Sequence, residues 1–318
     1  MTVQKRSLKS RPLRTYSLAS RPSKVDVRDF ARPVRRGASF TEFVASWPGF
    51  LAARDFRDFA GLMGRARDKR KPLLWAMGAH VIKVGLSPLL IDLMEEGWVS
   101  GLALNGAGII HDFEIAYAGR TSEDVEAQIR DGRFGMARET GDLLNEAIRS
   151  GADRGLGLGE AVGRMIAESR FPHRGLSLLA AAHRLRIPAT VHVAIGTDII
   201  HFHPRASGEA IGKTSLQDFF SLAEQVRGLN GGGVFLNVGS AVVLPEVFLK
   251  AVALIRNQGR PLDGFSTAVF DFIRHYRPAE NVVRRPLGKK GRGYYFVGPH
   301  EILIPLLAAI LNNRTGPA

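Results

Sequence analysis

The segment Gly196-Thr197-Asp198-Ile199-Ile200-His201-Phe202-His203-Pro204 gathers an acid, two imidazoles and a hydroxyl within nine residues. A His-x-His pair such as His201 and His203 ligates a divalent metal through neutral imidazoles when an acid such as Asp198 completes the shell. Along an extended segment both rings share one face, which serves a substrate pocket equally well. Neither an H-E-x-x-H motif nor a third ligand at a telling spacing accompanies the pair. A hydrogen-bonding pocket and a metal-dependent hydrolase built on His201 and His203 both stay open. Polar residues collect near other short apolar runs: His111 with Asp112, Gly239 with Ser240 and Glu246, Thr267 with Asp271, His275 through Glu280, and Gly298 with His300 and Glu301. Side chains that follow successive parallel strands converge at the carboxyl edge of the sheet, so these groups are expected to line one crevice.

Glycines bear on phosphate binding. Asn105-Gly106-Ala107-Gly108 follows an apolar run, where bare backbone at a helix start admits a pyrophosphate. Gly155 to Gly163 spaces as GxGxxxG, one residue longer than the dinucleotide fingerprint, with no clear strand before it, and reads as a helix entrance. Gly208 to Thr214 has three residues where a P-loop needs four between its glycines, so an NTPase loop is rejected.

The elements that must position these residues alternate between helical and short apolar patterns, the mark of an α/β fold. Helices are predicted over 39–60, 86–96, 215–227, 245–257 and 301–311. Strands are predicted over 99–104, 189–195, 233–238 and 264–268, and 109–114 starts a loop or a helix. Thr121-Ser122-Glu123-Asp124 carries a hydroxyl three residues before an acid and predicts the cap of a further helix. Residues 278–293, rich in Arg, Lys, Gly and Pro, predict a long loop of functional character.

The chain has 318 residues, 45% of them hydrophobic and 23% charged, so it can bury a large core. The absence of cysteine excludes thiol nucleophiles, Cys-ligated zinc, Cys-held iron–sulfur clusters and disulfides. Net charge is +14, and residues 1–36 hold eleven Lys and Arg against two acids. This Ser/Arg/Pro-rich stretch predicts a flexible basic arm, a solvated tail or a contact for an anionic partner, ahead of one α/β domain over 37–318. No apolar run has the length of a membrane span or a signal-peptide core, which makes the cytoplasm the default expectation.

The sequence resembles the deoxyhypusine synthase family, in order, through most of residues 70–310. Leu102-Ala103-Leu104-Asn105-Gly106-Ala107-Gly108, running on to His111-Asp112, is similar to the family's Thr-Ala-Gly-Gly segment and its following acids. Residues 188–198 resemble the strand leading to its Thr-Asp pair, and Gly239-Ser240-Ala241 its glycine run. Thr267-Ala268 matches a Thr-Ala cofactor contact, Arg277-Pro278-Ala279-Glu280 the Arg-Pro-Asp-Glu entry to its catalytic loop, and Gly298-Pro299-His300 an Asp-Ala contact before the closing helix.

The resemblance implies a Rossmann-like parallel sheet flanked by helices, NAD as cofactor and a homotetramer. It also implies oxidation of an amine, such as a polyamine, to an imine with transfer of the alkylamine group. Asn105, Gly106, Gly108, Asp198, Gly239, Ser240, Thr267, Ala268 and His300 would then hold the dinucleotide. Glu246 and Glu280 would face the amine, and His203 would shuttle a proton. The chain departs from the family where the imine-forming lysine aligns with Pro286 and its neighbouring tryptophan with Arg284, which leaves Lys289 as the nearest candidate beside Lys290. His203 stands where the family has an amine-binding aspartate. A non-catalytic NAD-binding protein is the further alternative.

Overall fold

A computed structural model describes residues 12–314 of the chain. They divide into two compact units, one ending at Arg54 and the other starting at Asp55.

In the first unit, short 3-10 turns at Leu18–Ser20 and Val27–Asp29 precede helix α1 (Phe40–Ala45). Ser39 caps α1 reciprocally: its hydroxyl oxygen accepts from the Glu42 N–H, and Glu42 Oε2 accepts from the Ser39 N–H at 2.7 Å. The single helix expected over 39–60 is broken at Trp47-Pro48-Gly49, because proline lacks a donor and biases its predecessor away from helix. The chain re-enters helix as α2 (Leu51–Asp68). Backbone bonds from Arg32 N–H to Ser46 O (2.9 Å) and from Gly49 N–H to Asp29 O (2.8 Å) tie part of the basic segment to this break. Residues 1–11 of that segment lie outside the described residues.

The second unit is a six-stranded parallel sheet with helices on both faces. Its strands are β1 (Leu73–Met77), β2 (Gly101–Asn105), β3 (Ala189–His192), β4 (Val234–Val238), β5 (Ser266–Asp271) and β6 (Gly293–Val297). They lie in the order β3-β2-β1-β4-β5-β6, the arrangement of a doubly wound dinucleotide fold. The central strands β1, β4 and β5 are buried at every position, as strands covered on both faces must be.

Helices α3 (His80–Lys83) and α4 (Ser87–Glu95) follow β1, and α5 (Gly106–Ala118) follows β2 directly. Next come α6 (Val125–Ile129), α7 (Arg138–Asp153), α8 (Leu158–Glu168) and α9 (Leu178–Leu185), which lead to β3. Helix α10 (Gly208–Arg227) leads to β4 and α11 (Val243–Asn257) to β5. A turn of helix α12 (Tyr276–Pro278) and a π-helical stretch Ala279–Arg284 return the chain to β6, and α13 (His300–Asn312) closes it.

Aromatic rings anchor the two faces. Phe235 of β4 stacks on Phe248 of α11 with centroids 3.8 Å apart, while Phe59 of α2 packs on Phe270 of β5 at 5.9 Å. Phe235 pairs in register with Thr267, three residues before Phe270, so strand alternation puts these contacts on opposite faces. Helix α11 therefore covers one side and α2 the other.

Several sequence expectations need correction. Strand β5 does not end at Ala268 but runs to Asp271, and β1 and β6 were not anticipated. Residues 278–293 are not one long loop: the π-helical stretch Ala279–Arg284 takes up the first part, and only residues 285–292 form a loop before β6. Helix α10 begins at Gly208, where Ser207 Oγ accepts from the Ala210 N–H at 3.2 Å, so the near-P-loop is an ordinary helix start. Thr121 caps nothing; Asp124 caps α6 by accepting from the Ala127 N–H at 3.1 Å. No helix among the described residues is long and apolar enough to cross a membrane.

Candidate functional site at the carboxyl edge of the sheet

The strand order reverses between β1 and β4, and their carboxyl ends open the crevice where such sheets take ligands. There the two backbones touch. Gly78 N–H donates to Val238 O at 2.9 Å, and a β-carbon at Gly78 would fall 2.1 Å from Gly239 O. Gly239 turns the chain with φ +64, a region that favours glycine, and a β-carbon there would lie 2.8 Å from the His300 ring. The His300 ring sits 5.7 Å from that of His80. His300 Nε2 donates to Phe270 O at 3.1 Å, which leaves Nδ1 as an acceptor, buried and without a partner. Ser240 Oγ accepts from the Leu244 N–H at 3.3 Å, and no side chain at the N-cap closes α11.

A second group forms at the end of β2. Asn105 Oδ1 caps α5 by accepting from the Gly108 N–H at 3.1 Å. Asp198 lies over the same helix start: a β-carbon at Gly106 would be 1.9 Å from Asp198 Oδ2. Burial raises the Asp198 carboxyl to about 6, with a Thr197 bond opposing the shift. His201 Nδ1 accepts from the Gly196 N–H at 3.1 Å, which places the ring proton on Nε2, 3.8 Å from Asp198 Oδ2. Both of those atoms are buried and have no hydrogen-bond partner among the described residues. Asn237 Oδ1, one residue before the end of β4, is a further unpartnered buried acceptor. Native proteins rarely leave such atoms unsatisfied, so these are positions where water or a polar ligand can bond.

The structure brings Asn105, Gly106, Gly108, Asp198, Gly239, Ser240 and His300 to the carboxyl edge. It does not bring every predicted residue there. Thr267 and Ala268 lie inside β5, fully buried, and Thr267 Oγ1 donates to Val282 O at 2.8 Å; the strand's true end is Asp271. Lys289 sits in the loop before β6, next to Gly288, whose β-carbon would meet Asp263 Oδ1 at 2.3 Å. Asp263 precedes β5 and bonds Gly231 before β4, so Lys289 belongs to the amino edge, at the opposite end of the strands.

Glu246 and Glu280 are already engaged by cations of this chain. Glu246 pairs with Lys250 and with Arg277 Nε at 3.3 Å and accepts from Asn281 Nδ2 at 2.9 Å. Lys250 most of all holds its carboxyl below the usual range. Glu280 pairs with Arg284 and with Arg285 Nε at 3.3 Å.

The two histidines of the His-x-His pair do not share a face. A 3-10 turn at Ile199–His201 breaks the alternation: His201 goes to Asp198, whereas His203 packs on Gly141 and lies 3.9 Å from Asp142. No group of three His, Asp or Glu side chains among the described residues could hold a metal ion. The glycines from Gly155 form a helix entrance, as expected. Asp218 explains them: its Oδ1 fills the place of a Gly157 β-carbon, and its Oδ2 accepts from the Gly159 and Val191 N–H groups at 2.9 and 2.6 Å. That carboxylate occupies the amides a phosphate would need. Asp112 is structural too, capping α9 through Ser177 Oγ (2.5 Å) and the Leu178 N–H (2.7 Å).

Gly78 and His80 were missed because β1 was missed; the run Leu73–Met77 followed by Gly78 carried the signal. His201 was read as a metal ligand or a hydrogen-bonding pocket residue, and the structure brings it to Asp198.

No protein family model matches the sequence, and neither does any curated protein. Solved structures do share its fold. A protein from Entamoeba histolytica assigned as a deoxyhypusine synthase matches over 88% of this chain and 95% of its own, with TM-score 0.53 and 11% identity. ArgZ in its apo form, an arginine dihydrolase of the ornithine–ammonia cycle in cyanobacteria, matches over 84% of this chain with TM-score 0.52 and 19% identity. AgrE in complex with ornithine and NAD+ matches over 88% with TM-score 0.52 and 16% identity. This chain spans about a third of ArgZ and AgrE, 34% of each. At these identities the likeness is one of fold: the second unit is a Rossmann-like α/β sheet of the kind these proteins contain.

Proposed function

We propose that the protein is an NAD-dependent enzyme similar in fold and cofactor use to deoxyhypusine synthase, which oxidises an amine to an imine and passes the alkylamine group to an acceptor amine. The observation that carries this is the carboxyl edge at the strand-order reversal, where Gly78 and Gly239 bring backbones together beside buried, unpartnered Asp198 Oδ2, His201 Nε2, Asn237 Oδ1 and His300 Nδ1. These residues fit a dinucleotide. The turn from Gly239 offers bare backbone to the pyrophosphate, while the first turn of α11 contributes little, its Leu244 N–H being held by Ser240 Oγ and Pro245 carrying no N–H. Asp198 already covers the start of α5, so it suits ribose hydroxyls there and would repel a phosphate. NAD would supply the hydride acceptor for the substrate carbon.

The protein's own part is to hold donor and cofactor together and to exclude water. Asp271, buried at the true end of β5 with His275 Nε2 3.9 Å away, offers the amine a carboxylate with no Lys or Arg ion pair among the described residues. With Lys289 at the amino edge, the acceptor amine would attack the imine carbon itself and displace the amine nitrogen first bound there, without a lysine adduct, and the hydride taken up in the first step would be returned to the new imine. Self-association to a tetramer and an anionic partner for the basic segment belong to the same proposal.

The test is calorimetric titration of the full chain with NAD beside a metal analysis of the same sample, followed by NADH formation with a panel of amines. Saturable NAD binding and amine-dependent NADH support the proposal. A tightly held metal without NAD binding overturns it, and NAD binding without turnover of any amine reduces the protein to a nucleotide-binding module.

A further inference from the structure

Beyond β3 the chain folds back so that His201 and Asp198 face each other. The N–H of Gly196 donates to His201 Nδ1 at 3.1 Å, and that of Asp198 reaches the same nitrogen at 3.4 Å. A backbone N–H only donates, so Nδ1 is the acceptor and, in the neutral ring that burial favours, the proton sits on Nε2. That proton faces Asp198 Oδ2 across 3.8 Å, too far for a hydrogen bond. Neither atom has a hydrogen-bond partner among the described residues. Their place at the carboxyl edge is set by Gly106: Asp198 Oδ2 fills the position of its missing β-carbon, over the start of α5 at the end of β2. One atom about 2.8 Å from each would close the gap between ring and carboxylate.

We infer that His201 Nε2–H and Asp198 Oδ2 clamp a single hydroxyl from both sides, the 2′-hydroxyl of the cofactor's adenosine ribose, and that His201 thereby helps the site select NAD over NADP. This rests on the proposed NAD binding. With the pyrophosphate at the strand-order reversal, an acid beyond the end of β2 meets the ribose of the adenosine half. The two halves of the clamp ask for opposite things. Above about pH 6 the Asp198 carboxylate only accepts, whereas His201 Nε2 only donates. A hydroxyl satisfies both at once, as does the water it would displace. An ammonium or amide N–H can reach Asp198 but has no lone pair to offer the ring, and a phosphate oxygen can reach the ring but meets the carboxylate. Asp198 alone would take any donor; His201 is what makes the pair specific for a hydroxyl. The side chains are 6% and 4% exposed, so the hydroxyl enters as the surface turn that carries them yields, between exposed Ile195 and Phe202.

The experiment is calorimetric titration of the full chain at neutral pH with NAD, with NADP and with the NAD analogue that lacks the adenosine 2′-hydroxyl. The parent is expected to bind NAD at least about tenfold more tightly than either of the others. In His201→Asn the amide oxygen can replace Nδ1 as acceptor for the Gly196 N–H, but no donor stands at the Nε2 position. That variant should bind NAD about fivefold more weakly, one neutral hydrogen bond, and the deoxy analogue within about twofold of the parent. His201→Gln, whose amide N–H reaches toward the Nε2 position, should recover most of the lost NAD affinity. A long-range 1H–15N correlation of the ligand-free chain should show the Nε2–H tautomer of His201. An Nδ1–H tautomer, equal affinities for NAD and NADP, or a His201→Asn variant that loses NAD and the deoxy analogue alike overturns the inference while NAD binding stands. Absence of any saturable NAD binding strikes the proposed function and takes this inference with it.

Discussion

Asp198 lies against the first residue of α5 so closely that only a glycine fits beneath it: a β-carbon at Gly106 would stand 1.9 Å from Asp198 Oδ2. The contact joins the end of β2 to the loop after β3, two segments more than ninety residues apart in sequence. It also fixes what the helix start can bind. An amide terminus that would otherwise take an anion faces a carboxyl, so the guest must present donors.

Gly106→Ala is therefore expected to push the Asp198 carboxyl aside and weaken NAD binding by about tenfold or more, roughly the 1.4 kcal/mol of one lost charged hydrogen bond. Asp198→Asn, which keeps an oxygen acceptor and the shape, should lose less. Calorimetric titration of both variants checks this. Equal affinities in the parent and Gly106→Ala would remove Asp198 from the cofactor site.

Gly78→Ala should destabilise the fold itself, because its β-carbon would meet backbone, Gly239 O, at 2.1 Å. Two central strands cannot part without losing ladder bonds, and overpacking of this kind costs about 1–3 kcal/mol. Urea unfolding of the variant should show a lower midpoint with an unchanged slope, and an unchanged midpoint would mean that the carboxyl ends of β1 and β4 are not in contact.

Lys289→Ala is expected to leave NAD affinity and amine oxidation within about twofold of the parent, inside the scatter of a surface substitution. The loop that carries it belongs with Asp263 and Gly231 at the amino edge. A large loss of NADH formation in this variant would restore the lysine to the mechanism and contradict the placement of that loop.

Much of the site was legible because strand ends write themselves as an apolar run followed by small polar residues. Asn105-Gly106 and Gly239-Ser240 both follow that grammar, and both lie where it puts them. It failed at β5, where Thr267-Ala268 resembled an edge pair while the apolar run went on through Val269 and Phe270 to Asp271. A motif matched by residue type had displaced the simpler rule that a buried parallel strand ends only when its apolar run ends. The His-x-His pair failed for a different reason. Alternation holds only while the backbone is extended, and the 3-10 turn before His203 sends the two rings to different acids. The hydrogen bonds of Thr121 with His111 and Glu114 were beyond sequence reading, since the hydroxyl before Glu123-Asp124 reads as the cap of the next helix.

The last prediction concerns pH, and it turns on Asp218. Burial, the largest influence, lifts its carboxyl to about 7, against backbone N–H bonds from Gly159 and Val191 that favour the anion. The unfolded chain releases that proton near 3.8. Between these values the folded state binds more protons than the unfolded one, so stability falls as pH rises from about 4 to about 7 and is level above. The size is at most about 4 kcal/mol, three units at 1.36 kcal/mol each. His111 and His192, both lowered to about 4 chiefly by burial, act in the opposite sense, since the unfolded imidazoles take up protons first as pH falls below 6.5. The parent protein's curve is therefore a partial cancellation, and the difference between parent and Asp218→Asn isolates the acid. That difference should swing toward Asp218→Asn as pH rises from about 4 to about 7, because the amide cannot ionise and still accepts one backbone N–H. Urea unfolding of both proteins across this range reads it directly. Parallel curves would show that Asp218 ionises in the folded state as readily as in the unfolded one, with its backbone bonds fully offsetting the cost of burial.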